Sequence, residues 1–111
     1  MQWPSVFESW APQTRQTLMQ ALQAQLEKDL GISLNSPEPQ HIWNNVYQFC
    51  EQWEQQPSKI AQALYRVDLP ETLVVEMYSA HISDPIGHLT YSILSREMQK
   101  IAHRMGNSAK Q

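Results

Sequence analysis

His81, Asp84 and His88 form the pattern H-x2-D-x3-H, the grouping in this chain closest to a set of metal ligands. Imidazole nitrogen and carboxylate oxygen suit zinc or iron, so these three residues would serve a small metal-dependent enzyme. A structural reading competes with this one. Asp84 stands directly before Pro85, where a helix N-cap belongs, and a capping carboxylate turns toward backbone amides rather than outward to a metal. The capping role is preferred, and no metal or other cofactor is expected. His41 and His103 lack an acidic or cysteine neighbour at ligand spacing.

Other chemistry finds less support. Cys50 is the only cysteine, so neither an internal disulfide nor a cysteine zinc cluster can form. Its setting, YQFCEQW, is an aromatic helix face where burial raises a thiol pKa and makes it inert. The sequence contains no G-x-S-x-G and no H-E-x-x-H, and glycines 31, 87 and 106 are too scattered to cradle a phosphate. Gly87 falls in the first turn of an expected helix. Close approach of another helix is the preferred account, and a ligand touching backbone is the other.

The stretch Tyr65-Arg66-Val67-Asp68 reads as punctuation between two helices. Asp68 precedes Pro70 by two residues and Glu71 by three, which fits an N-cap with a capping box. Arg66 lies near a helix C-terminus, where a cation is favoured. It can also pair with Glu71 or Glu97. Trp3 and Trp10 flank a short N-terminal helix. They either clamp that helix to the rest of the protein or belong to a partner-binding surface, where tryptophan is enriched.

Composition narrows the function class. The 111 residues suit one domain, and 41% apolar residues can build one core. Fourteen glutamines replace much of the usual charge, and the net charge is −3. That balance argues against nucleic acid or an anionic membrane as a general partner. The exception lies between Ile86 and Gln111, where Arg96, Lys100, Arg104 and Lys110 outnumber Glu97. Nucleic-acid binding through this last helix is the third functional reading. The N-terminus has no basic segment followed by an apolar one, and no apolar run is long enough to span a bilayer, so a cytoplasmic location is expected.

These residues need elements to hold them, and the periodicities are helical. Ser5 and Glu8 suggest a capping box for a first short helix. Leu18, Leu22, Leu26 and Leu30 recur every four residues between Pro12 and Gly31, which can adopt the left-handed closing conformation. Asn35 or Ser36 with Pro37 would start a third helix carrying Ile42, Trp43, Val46, Tyr47, Phe49, Cys50 and Trp53, expected at the centre. A fourth, from Ser58, presents Ile60, Ala61, Leu64 and Val67. A fifth, reaching about Ala80, presents Leu73, Val74 and Met77. The last, from Pro85, presents Ile86, Leu89, Ile93, Leu94, Met98, Ile101 and Met105 until Gly106 stops it. Period-two alternation is absent. The prediction is an all-α fold, a single compact bundle of five or six helices over residues 1–106 with a flexible tail at 107–111.

IAQALYRVDLPE followed by ILSREMQKIAHR resembles a group of small bacterial helical proteins with an LYR(I/V)D…E segment and then I…RE(L/M)QK. The likeness covers about residues 60–104. It implies an all-α bacterial protein, carries no known activity and assigns no site residues. The tripeptide Leu64-Tyr65-Arg66 is also shared with LYR-motif adaptors, but there it lies on the first helix, and that likeness is rejected. The expectation is a non-catalytic protein-interaction or accessory module, binding an unknown protein or a second copy of itself. Trp3, Trp10, Arg66, Arg96 and Lys100 are its candidate contact residues.

Overall fold

Prolines set most of the helix starts. In the computed structural model, which describes residues 3–70 and 72–109 (side chains except at 77, 78 and 106–109), Pro12, Pro39, Pro57 and Pro85 each occupy the first helical position. There the missing N–H costs nothing and the fixed φ is already helical. The helices are α1 (Ser5–Glu8), α2 (Pro12–Leu30), α3 (Pro39–Cys50), α4 (Pro57–Val67), α5 (Thr72–Ser79) and α6 (Pro85–Ala109), and a 3-10 turn at Glu51–Trp53 extends α3. Among the described residues there is no strand. The all-α prediction is met.

The leucine stripe of α2 is buried along its length, with Met19 beside it. Gly31 ends the helix at φ 68°, donating its N–H to the Glu27 carbonyl. That left-handed conformation is one that glycine adopts without steric cost.

Burial puts α6, not α3, at the centre. Leu89, Ile93, Leu94, Met98 and Ile101 are all essentially inaccessible, and α1, α2, α3, α4 and α5 all pack on this one helix. The aromatic face of α3 is wide but only partly inside. Ile42, Val46, Phe49 and Cys50 are buried, whereas Trp43 and Tyr47 sit half-exposed at its flank. The principal-axis extents are 42 × 28 × 24 Å.

Several local expectations are corrected. Ser5 is not a cap: α1 begins on it, Pro4 takes the cap position, and no side-chain cap bond forms. The start of α3 is Pro39 rather than Pro37, because Ser36 is used in a turn that accepts the Glu38 N–H. On α4, Ala63 joins the buried set and Ala61 is half-exposed. Gly106 does not stop α6, which continues through it to Ala109. The expected roles of Glu71 and of the Met77 side chain lie outside the described residues.

Aromatic packing holds α1 in place. Trp3 stands 5.3 Å from Phe7 and 6.3 Å from Trp43 between ring centroids, and Phe7 stands 6.0 Å from Trp10. The Arg15 guanidinium covers the Phe7 ring at 4.8 Å and donates to the Trp10 carbonyl. Trp10 is buried at 6% exposure. The tryptophans are therefore packed as clamps, and Trp10 offers no free surface to a partner.

Candidate functional site

The Tyr65–Asp68 stretch is where α4 is fastened to α6. Asp68 takes the left-handed conformation, φ 75° and ψ 48°, and closes α4 as its C-cap. Its N–H donates to the Tyr65 carbonyl and that of Leu69 to the Leu64 carbonyl. The N-cap expectation is overturned, because Asp68 terminates the helix before it and α5 begins only at Thr72. Its carboxylate accepts from Arg96 of α6 at 2.7 Å in an exposed ion pair. Among the described residues, Arg66 makes one long hydrogen bond, 3.5 Å, to the Asp29 carbonyl oxygen. It does not meet Glu97.

Glu97 has a different role. It is fully buried and faces Asp29 of α2, itself buried, with Lys100 between them. The Lys100 ammonium donates to Asp29 Oδ2 at 3.0 Å and to the carbonyls of Arg66 and Val67 at 3.2 and 3.4 Å. It also lies 2.9 Å from Glu97 Oε2. That approach is off-axis, so the contact is an ion pair and neither Glu97 oxygen has a well-directed donor. Burial first, and the Asp29 carboxylate second, push the Glu97 carboxyl up to about 8 against the pull of Lys100. Burial pushes Asp29 up too. Hydrogen bonds from Gln25 and Lys100, with Glu97 close by and the charge of Lys100 added, outweigh it and hold that carboxylate below its ordinary value. Burial would lower Lys100, but the two acids raise it. The arrangement suits one proton on Glu97 and one charge each on Asp29 and Lys100. It joins α2, α4 and α6 in a single polar knot, and its unpaired alternative would be expensive.

This knot was missed from the sequence, although a signal existed. Glu97 lies four residues after Ile93 and four before Ile101, inside the apolar stripe. The cations that suggested a phosphate-binding face are engaged internally. Arg96 holds Asp68, Lys100 holds the knot, and Arg104 donates to Gln25 Oε1 at 3.1 Å. Lys110 lies outside the described residues.

The His81–Asp84–His88 segment folds as the cap reading requires. Asp84 Oδ1 accepts the Gly87 N–H at 3.0 Å and the Tyr47 hydroxyl at 3.3 Å. Burial and the Asp84 carboxylate both raise the Tyr47 hydroxyl above its ordinary value. His81 is exposed at φ 53°, and His88 is exposed on the first turn of α6. Among the described residues, no three His, Cys, Asp or Glu side chains converge on a point that could hold a metal. Gly87 is explained by neither of the expected reasons. A Cβ there would fall 2.3 Å from Asp84 Oδ2, so the glycine makes room for the capping carboxylate. Cys50 is fully buried, and burial, partly opposed by Thr90, pushes its thiol up to about 12.

The exposed apolar surface is on α4 and α5. Tyr65 is 83% exposed and Val75 is 65% exposed. Val75, Trp53, Pro57, Ala61, Leu64 and Thr72 line a groove of about 430 Å3 between the two helices. Ala61 also lines a smaller depression with Gln62, Tyr65 and Arg66. Among the described residues no helix is long and apolar enough to cross a membrane. Comparison with protein-family models, with curated proteins and with solved structures finds no match for this chain.

Proposed function

We propose that this chain is a non-catalytic protein-interaction module of the bacterial cytoplasm, receiving an amphipathic helix of a partner protein in the groove between α4 and α5. The observation that carries the reading is the groove lined by Trp53, Pro57, Ala61, Leu64 and Val75, at which Val75 stays 65% exposed, with exposed Tyr65 nearby on α4. Contiguous apolar surface of this kind on a small protein marks a binding face. A helix-lined apolar trough is the shape that accepts another helix through its i, i+3 and i+4 side chains. Covering Val75 alone would contribute about 1–2 kcal/mol, since complete burial of such a side chain is worth roughly 1.5–3 kcal/mol. Trp53 at the end of the trough supplies an aromatic anchor of the type that dominates interfaces. The bacterial setting rests on the resemblance of residues 60–104.

The test compares wild-type protein with Val75→Glu and Tyr65→Ala as immobilised baits in a host lysate. Both positions are exposed, so melting temperatures should be unchanged. A partner that binds wild type and is lost from both variants supports the proposal, and binding that survives both substitutions removes it. Sedimentation of wild type across a hundredfold concentration range addresses a second copy as occupant. Self-association abolished by Val75→Glu would replace the helix of another protein with this chain itself.

A further inference from the structure

A second depression, of about 500 Å3, opens where α3 meets the start of α6, on residues outside the α4–α5 groove. Trp43 and Tyr47 reach it from successive turns of α3, and Tyr91 reaches it from α6. All three are half-exposed. Among the described residues none of these rings stacks on another, and Trp43 is backed by Trp3. Asp84 and Gly87 form its charged side, with His88 beside them. Among the described residues no lysine or arginine lines it.

We infer that this depression binds a small organic cation, an alkylammonium group. The faces of aromatic rings carry negative potential, and quaternary or methylated ammonium ions are recognised by rings arranged around them. The Asp84 carboxylate adds a full negative charge at the same place. Oδ1 is occupied by Gly87 and Tyr47, whereas Oδ2 has no donor among the described residues. The absence of a side chain at Gly87 leaves that oxygen uncovered on the side where a Cβ would otherwise stand. A helix N-terminus by itself attracts anions. Here the Gly87 amide is already taken by the Asp84 carboxylate and the His88 amide by the Asp84 carbonyl, so an anion would meet a carboxylate instead of free N–H groups. The volume falls within the roughly 300–1,000 Å3 typical of small-molecule sites.

Two sources share this chemistry, a free alkylammonium such as choline and the trimethyllysine side chain of a protein. The experiment follows amide and indole N–H resonances of the full chain during titration with choline, a trimethyllysine-containing peptide, and 3,3-dimethylbutan-1-ol, the uncharged carbon analogue of choline. Saturable shifts of the Trp43 indole and the Gly87 amide are expected with at least one of the two cations. The tighter of the two identifies the source. The neutral analogue should bind at least about tenfold more weakly, a margin that a desolvated cation–π contact supplies. Asp84→Asn keeps a good cap and removes the charge, so it should fold and bind the cation several-fold more weakly. Trp43→Leu should weaken binding as well. Equal binding of the neutral analogue, no saturable shift with either cation, or unchanged affinity in Asp84→Asn would each overturn the assignment.

Discussion

Replacing Glu97 with glutamine should flatten the dependence of stability on pH. Glu97 is inaccessible to solvent, and its carboxyl is pushed from 4.5 up to about 8. A group whose folded pKa lies above its unfolded value stabilises the fold by holding its proton more tightly. That contribution is complete below about pH 4.5, declines as pH rises, and is gone above about pH 8. Each pKa unit corresponds to about 1.4 kcal/mol, so the decline has an upper bound on the order of 5 kcal/mol, which the coupling to Asp29 and Lys100 reduces. Asp29 is held below its ordinary value, so it loses its contribution only as pH falls through the acid range, outside this window. Cys50 matters above pH 9, because burial keeps its thiol protonated to about 12. The informative range is therefore pH 5 to 8.5. Urea denaturation followed by circular dichroism should show wild type losing a few kcal/mol across it. Glu97→Gln should match wild type near pH 5 and exceed it at pH 8.5, since a neutral amide acquires no charge in the buried site. A flat wild-type profile, or a variant with the wild-type slope, would refute the reasoning.

The left-handed C-cap predicts an order of stability at position 68: Asp68→Gly highest, then Asp68→Asn, then Asp68→Ala, with Asp68→Val lowest. A span of about 1–2 kcal/mol between glycine and alanine is expected from the cost of a Cβ in this conformation, while the exposed pair with Arg96 contributes little; thermal melts of the four variants measure it. Cys50 should label with a thiol reagent at pH 8 only after denaturation. Rapid labelling of native protein would show that the α3–α6 interface opens on that timescale.

The parts of the fold legible in the sequence were those with one physical interpretation. Leucines four apart in α2 can share a face only on a helix, and Gly31 closes that helix because it tolerates φ 68°. Asp84 followed by Pro85 marked a start that the Gly87 hydrogen bond bears out. Asp68 was misread because aspartate is both a good N-cap and one of the few residues that accept the left-handed conformation. What decides between them is where Leu69 and Asp68 send their amide protons, and Asp68-Leu69-Pro70-Glu71 fits either outcome. Spacing could place His81 and His88 near Asp84 in the chain, but it could not show whether the three side chains converge. Glu97 was read only as a partner open to Arg66, because its companions, Asp29 and Lys100, come from 68 residues away and from its own next turn. No local pattern announces a pairing across that separation. The aromatic depression escaped notice for the same reason, since Tyr91 meets Trp43 and Tyr47 only through the packing of α6 on α3.

The central position of α6 has a consequence for biosynthesis. Apart from α2 resting on α4 and the 3-10 turn on its neighbours, the principal contacts between helices all involve residues 85–109. A nascent chain leaves the ribosome from its N-terminus at about 5–20 residues per second. During that time the stripes of α2 and α4 have only each other to close upon, and the face of α3 that meets α6 stays open, with Phe49 in contact with water or with a chaperone. The core is completed only when Ile101 has cleared the exit tunnel. Folding is thereby tied to the end of translation of this segment, and for several seconds before it the chain presents the same apolar faces that would drive it into aggregates.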